Sequence, residues 1–159
     1  MKKLKVDLEL LLQSLLFNNE GLCKEYLDTV TGDIINIPED IDKVVKGILP
    51  QESLPDWKQD LLSDGYAITN DKEHRYIFIP AVDIICSNID IEEFIARKIN
   101  DPHLASKLSN CLNEKNPMRS FKNTLSYNAE LLDEWYDYEE KQGEKFAKKW
   151  LKELGIQTL

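Results

Sequence analysis

The sequence predicts an α+β protein: an N-terminal helix, a small antiparallel sheet of hairpins, then a helical C-terminal half. Three observations carry that expectation. Apolar residues recur at helical spacing before residue 18 and again after residue 90. Between them lie short β-branched or aromatic runs separated by turn residues. Strands come early and helices late, without the regular βαβ alternation of a doubly wound parallel sheet. The 159 residues, 42% hydrophobic and 31% charged, suit one domain spanning 1–159, with enough chain to bury a core.

Leu4, Leu8, Leu11, Leu12 and Leu15 mark the first helix, expected over about 7–18, capped by Asp7 and ended near Asn19 and Gly21. Leu22 to Thr31 and Ile34 to Ile37 form a hairpin around Thr31-Gly32-Asp33, where glycine supplies a positive φ. Pro38 closes the second strand because it has no N–H to donate. Two short helices fit 39–47 and 56–63, the second with Asp56 and Gln59 in capping-box spacing. Tyr66 to Thr69 and Arg75 to Pro80 read as a second hairpin around Asn70-Asp71-Lys72-Glu73.

The second half holds helices at about 90–100, 102–113 and 117–126. Asp90 and Glu93 make a capping box for the first, and Pro102 and Pro117 occupy the first helical position of the other two. A last helical segment, 128–154, carries Leu131, Leu132, Trp135, Tyr138, Phe146, Ala147, Trp150, Leu151 and Leu154. Its polar middle, 139–145, allows one helix or two, and Gly155-Ile156 fits a left-handed stop.

The 29 acidic and 20 basic side chains give a net charge of -9, which excludes attraction to nucleic acid by bulk positive charge. Cys23, Cys86 and Cys111 are far apart and odd in number, pointing to reduced, mostly buried thiols in a cytoplasmic protein. The basic start, Lys2-Lys3-Leu4-Lys5, is followed by Asp7 and Glu9, which do not belong in a signal peptide. No apolar run reaches the ~18 residues of a membrane span, so no membrane is expected.

Charge is unevenly placed. Between Phe94 and Ala129 six basic residues (Arg97, Lys98, Lys107, Lys115, Arg119, Lys122) face two acidic ones. Glu130 to Glu140 holds six carboxylates and no base. One consequence is an anion-binding patch of Arg97, Lys98, Lys107, Arg119 and Lys122, with the helix N-terminus at Pro117 beside Arg119 and Lys122. The other is that the basic helices pair with the acidic segment, while Asp137–Lys141 and Glu144–Lys148 pair along the last helix. Arg75, at a strand edge, either binds a ligand carboxylate or closes a structural ion pair. Carboxylate pairs such as Glu130–Glu134 occur at the frequency expected from so acidic a composition. His74 in a turn and His103 in a first helical turn complete no Glu-x-x-His metal pair. No phosphate loop, dinucleotide fingerprint, zincin or calcium-loop motif is present, so no catalytic residue, metal or cofactor is expected.

Leu27-Asp28-x-x-Thr31-Gly32, Arg75-Tyr76-x-x-Ile79-Pro80, Phe94-Ile95 with Leu104 and Leu108, Met118-Arg119-Ser120-Phe121-Lys122, and Trp135 with Ala147-x-x-Trp150-Leu151-x-x-x-Gly155-Ile156 follow one another in order. Over residues 4 to 157 this resembles an uncharacterised bacterial protein family with the patterns L-D-x-x-T-G, R-Y-x-x-I-P, F-R-R-F-K and W-L-x-x-x-G-I. The chain departs from them at Glu114-Lys115-Asn116-Pro117, where glycines are usual, and at Met118 and Ser120. The resemblance implies a small bacterial cytoplasmic protein and brings no reaction.

The function expected from these residues is non-enzymatic binding of a protein partner, with Tyr136 and Tyr138 on the partner surface and room for a homo-oligomer. The alternative is an anion- or nucleic-acid-associated regulator using the basic patch of residues 94–126.

Overall fold

Asp7 sets where the first helix begins: the Leu10 N–H donates to its Oδ1 at 3.1 Å, and helix α1 runs Leu8–Leu16. The computed structural model describes residues 2–16, 22–82 and 86–159, so the expected end of this helix near Asn19 lies outside the described residues. The chain divides into two units: Met1–Asp83 with Ala147–Leu159, and Ile84–Phe146.

In the first unit, the expected hairpin forms from β2 (Cys23–Asp28) and β3 (Ile34–Pro38), with Leu27 opposite Ile34 and Cys23 opposite Pro38. Gly32 turns the chain at φ +83°. A Cβ there would stand 2.1 Å from the Lys5 carbonyl oxygen, so the position excludes any side chain. Pro38 ends β3 and leads into α2 (Glu39–Val45). After a 3₁₀ turn at Gln51–Ser53 come α3 (Asp56–Gln59) and α4 (Leu62–Thr69). Asp56 makes no cap as expected of it; the Gln59 amide instead donates to the Leu54 carbonyl at 3.3 Å.

The second expected hairpin does not form. Tyr66 to Thr69 are helical, and β4 (Tyr76–Phe78) pairs antiparallel with β2, giving the order β3-β2-β4. Gly65 is the physical reason: a Cβ on it would meet Val45 Cγ2 at 2.9 Å and Ile41 Cγ2 at 3.1 Å. Its absence lets α4 pack closely on α2, and this contact outweighs the strand propensity of Tyr66 and Ile68. Side chains alternate across the sheet. Ile37 joins Ile41, Val44, Leu54 and Leu62 in a core, with Tyr26 and Ile35 packed against it. On the opposite face, Glu25 accepts a hydrogen bond from Ser14 of α1. A further pairing lay beyond the sequence reading: β1 (Lys2–Leu4) runs parallel to β5 (Ile156–Thr158), with Lys2 opposite Ile156.

The first helix of the second unit is capped at Ser87, whose N–H donates to the Asp90 carboxylate at 2.7 Å, so α5 (Asn88–Lys98) starts before the expected Asp90–Glu93 box. Asp101 accepts from the His103 N–H and Asn116 from the Arg119 N–H, capping α6 (Pro102–Asn110) and α7 (Pro117–Leu125), each with proline at its start. Helix α8 (Ala129–Glu153) is continuous through the polar stretch 139–145 and ends in the expected left-handed stop, Gly155 at φ +78°. Phe94, Phe121 and Trp135, all fully buried, meet edge to face with centroids 4.9–6.0 Å apart. Among the described residues no helix is long and apolar enough to cross a membrane.

Candidate functional site

Two places in the first unit gather polar groups. One is built on Asp28. As the last residue of β2 it is buried, and its carboxylate accepts from Arg75 Nε at 2.9 Å and Nη2 at 2.8 Å, a bidentate pair. Asp28 Oδ1 also accepts from the Val30 N–H at 2.9 Å, while the Asp28 carbonyl accepts from the Gly32 N–H at 2.8 Å. Thr29 clasps the Arg75 carbonyl with both its N–H (2.9 Å) and its hydroxyl (2.7 Å). The Arg75 guanidinium holds the Asp28 carboxyl at about 2, well below the ordinary 3.8. This ties the start of β4 to the β2–β3 turn. Of the two roles open to Arg75, the structure shows the structural ion pair.

The other place is an open cleft of about 900 Å³ that follows the outer edge of β3. Its floor is Asp33, Ile34, Ile35, Asn36 and Pro38. Lys5, Asp7 and Leu10 line it from the start of α1, and Leu61 and Asp64 from the α4 side. The hydrogen-bonded pairs of the hairpin fix which backbone groups face it. Asp28 donates to Asp33 and Glu39 to Leu22, so the alternating register turns the N–H and C=O of Ile35 and Ile37 toward β2. Ile34 and Asn36 therefore present theirs to the cleft, and among the described residues their N–H groups take no partner. The sequence reading missed this cleft. The available signal was Pro38, since proline within a strand marks an edge.

The remaining site residues lie in the second unit. Lys122 pairs with Glu139 at 2.7 Å, and the same Glu139 oxygen accepts from the Trp135 indole N–H, so this cation serves the acidic segment of α8. Lys107 stands 5.9 Å from the Tyr127 ring centre. Arg97, Lys98 and Arg119 are exposed, and their side chains make no ion pair among the described residues. Neither Asp137–Lys141 nor Glu144–Lys148 closes to ion-pair distance. Tyr138 stacks on Trp135, and its hydroxyl donates to Asp90 at 3.1 Å; burial, with Asp90 adding to it, pushes the phenol up to about 12. Tyr136 is half exposed, with Lys122 over its ring. Cys86 and Cys111 are buried and Cys23 is partly so; burial pushes the Cys86 thiol up to about 12.

Many of the family-pattern residues hold the fold. Leu27, Ile79, Phe121 and Leu151 are fully buried, Asp28 and Arg75 form the clasp, and Gly32 and Gly155 make turns. The chain is similar to the Pseudomonas aeruginosa protein described as UPF0158 protein PA5073, at 29% identity over 91 residues, 57% of this chain. The match spans 59% of that relative's length. No solved structure matches. The profile described as "Uncharacterised protein family (UPF0158)" matches residues 1–159, from the first strand through β5, and the chain belongs to that family.

Proposed function

We propose that this is a non-enzymatic cytoplasmic binding protein that docks another protein along the β3 edge of its first unit. The open cleft carries the reading. Its recognition groups are strand-edge backbone and aliphatic side chains, Leu10, Ile34, Ile35 and Leu61, which are the means by which proteins hold peptide chains. Of the ionisable residues that the family patterns single out, Asp28 and Arg75 are engaged with each other and Lys122 with Glu139. The test places a photo-crosslinking amino acid at Asn36 in the full chain within its host. Discrete protein adducts from position 36, and none from exposed Glu144 on α8, support docking here. Equal adducts from both positions, or none from 36, overturn it.

A second reading, an anion- or nucleic-acid-associated regulator, is favoured by Arg97, Lys98 and Arg119, which are exposed and make no ion pair among the described residues. It expects RNA or DNA binding at low salt that weakens steeply as salt rises. An Arg97→Ala/Arg119→Ala variant should then bind several-fold more weakly. Binding that is absent at low salt, or unchanged in the variant, removes this reading.

A further inference from the structure

We infer that the cleft accepts an extended segment of a partner protein, carrying both apolar and basic side chains on each of its faces, as a fourth strand on β3. The inference rests on the docking reading above and names its mode and the partner's chemistry. The two edges of the sheet differ. On β4, the outward N–H of Tyr76 is already taken by the Asp71 carboxylate at 2.9 Å. On β3, the outward N–H and C=O of Ile34 and Asn36 face the cleft, and Pro38, lacking an N–H, sets where added pairing stops. An incoming strand thus finds a short ladder that is open at one end and closed at the other.

The walls specify the side chains. A strand laid on this edge points successive residues to opposite faces of the sheet. On the α1 face it meets Leu10 and Asp7; on the α4 face it meets Leu61 and Asp64. Each wall pairs one aliphatic surface with one carboxylate, and Asp33 adds a third at the turn, against Lys5 as the basic lining residue. Apolar side chains flanked by lysine or arginine complement both walls, and an acidic segment is repelled. A second copy of β3 is a poorer occupant, because it would bring its own Asp33 and a proline-blocked edge.

The test selects a display library of random ten-residue peptides on the full-length protein. Enriched peptides should carry lysine or arginine interspersed with apolar residues, and bound peptide should slow hydrogen exchange at the Ile34 and Asn36 amides. Asn36→Pro, which removes one outward donor at a position where an edge strand tolerates proline, should weaken binding tenfold or more. Should that variant fail to fold, methylation of alternate peptide backbone nitrogens carries the same test on the unaltered protein, with the same loss in one of the two phases. Asp33→Asn/Asp64→Asn should weaken binding several-fold. Enrichment of acidic peptides, protection away from β3, indifference to backbone methylation in both phases, or concentration-dependent protection of β3 without peptide would each overturn the inference. Loss of strand addition with persistent Asn36 adducts leaves docking standing and removes only this mode. Loss of both removes the docking reading too.

Discussion

The two units are held in different ways. The first relies on a buried carboxylate, Asp28, that gathers Arg75 and the β2–β3 turn around one polar point. The second relies on the ring cluster of Phe94, Phe121, Trp135 and Tyr138, whose cohesion comes from area and shape. A charged clasp fixes direction and register but is sensitive to proton activity. An aromatic cluster is insensitive to protons and sensitive to lost volume.

The largest expected effect tests the second half of that contrast. Trp135→Ala removes a fully buried ring and should cost about 3–5 kcal/mol, read as a lower urea midpoint for the second unit's signals. Asp28→Ala should cost about 3 kcal/mol, near the bottom of the range for a broken buried pair because Arg75 keeps some solvent contact. Backbone amides of β2 and β4 should lose exchange protection first. Equal loss throughout α5 and α7 would break the distinction.

Acid sharpens the comparison further. The folded Asp28 carboxyl titrates at about 2, below its unfolded value of 3.8, so its contribution is complete above the unfolded value and fades as pH falls toward 2. About 2 kcal/mol of stability should disappear over that window. The stability difference between the native chain and Asp28→Asn should shrink with it, and a pH-independent difference would assign the clasp to packing alone. The smallest effect belongs to Lys122→Met. Its pair with Glu139 is partly solvated on both sides, and the change should stay within about 1 kcal/mol. A larger loss would make this ion pair a second clasp.

What the sequence disclosed follows from how local each signal is. Asp7, Asp101-Pro102 and Asn116-Pro117 announce helix starts because a cap acts within three residues of itself. The β2–β3 hairpin was legible for the same reason, through Gly32. Tyr66 to Thr69 misled, because its helical state depends on what the missing Cβ of Gly65 permits against α2. The partner of β4 was also hidden: Arg75 was visible as a strand-edge cation, but Asp28, which receives it, is 47 positions away. The candidate cleft was less legible still. Asp7, Leu10, Ile34 and Asp64 have no shared spacing, and only the fold makes them neighbours. The cations Arg97, Lys98, Lys107, Arg119 and Lys122 were countable from the start, while the engagement of Lys122 by Glu139 required the α7–α8 geometry.

The parallel pairing of β1 with β5 has a consequence for synthesis. β1 can pair only once β5 has been made, since Lys2 lies opposite Ile156 and the Leu159 N–H donates to the Leu4 carbonyl at 3.2 Å. Residues 84–146 lie between the two strands in sequence and emerge before that closure, so they are free to collapse first, while β1 stays without this partner until β5 follows. Closing so large a loop is entropically slow. Chains truncated before β5 should therefore carry β1 without its partner strand, a natural recognition mark for chaperones or proteases.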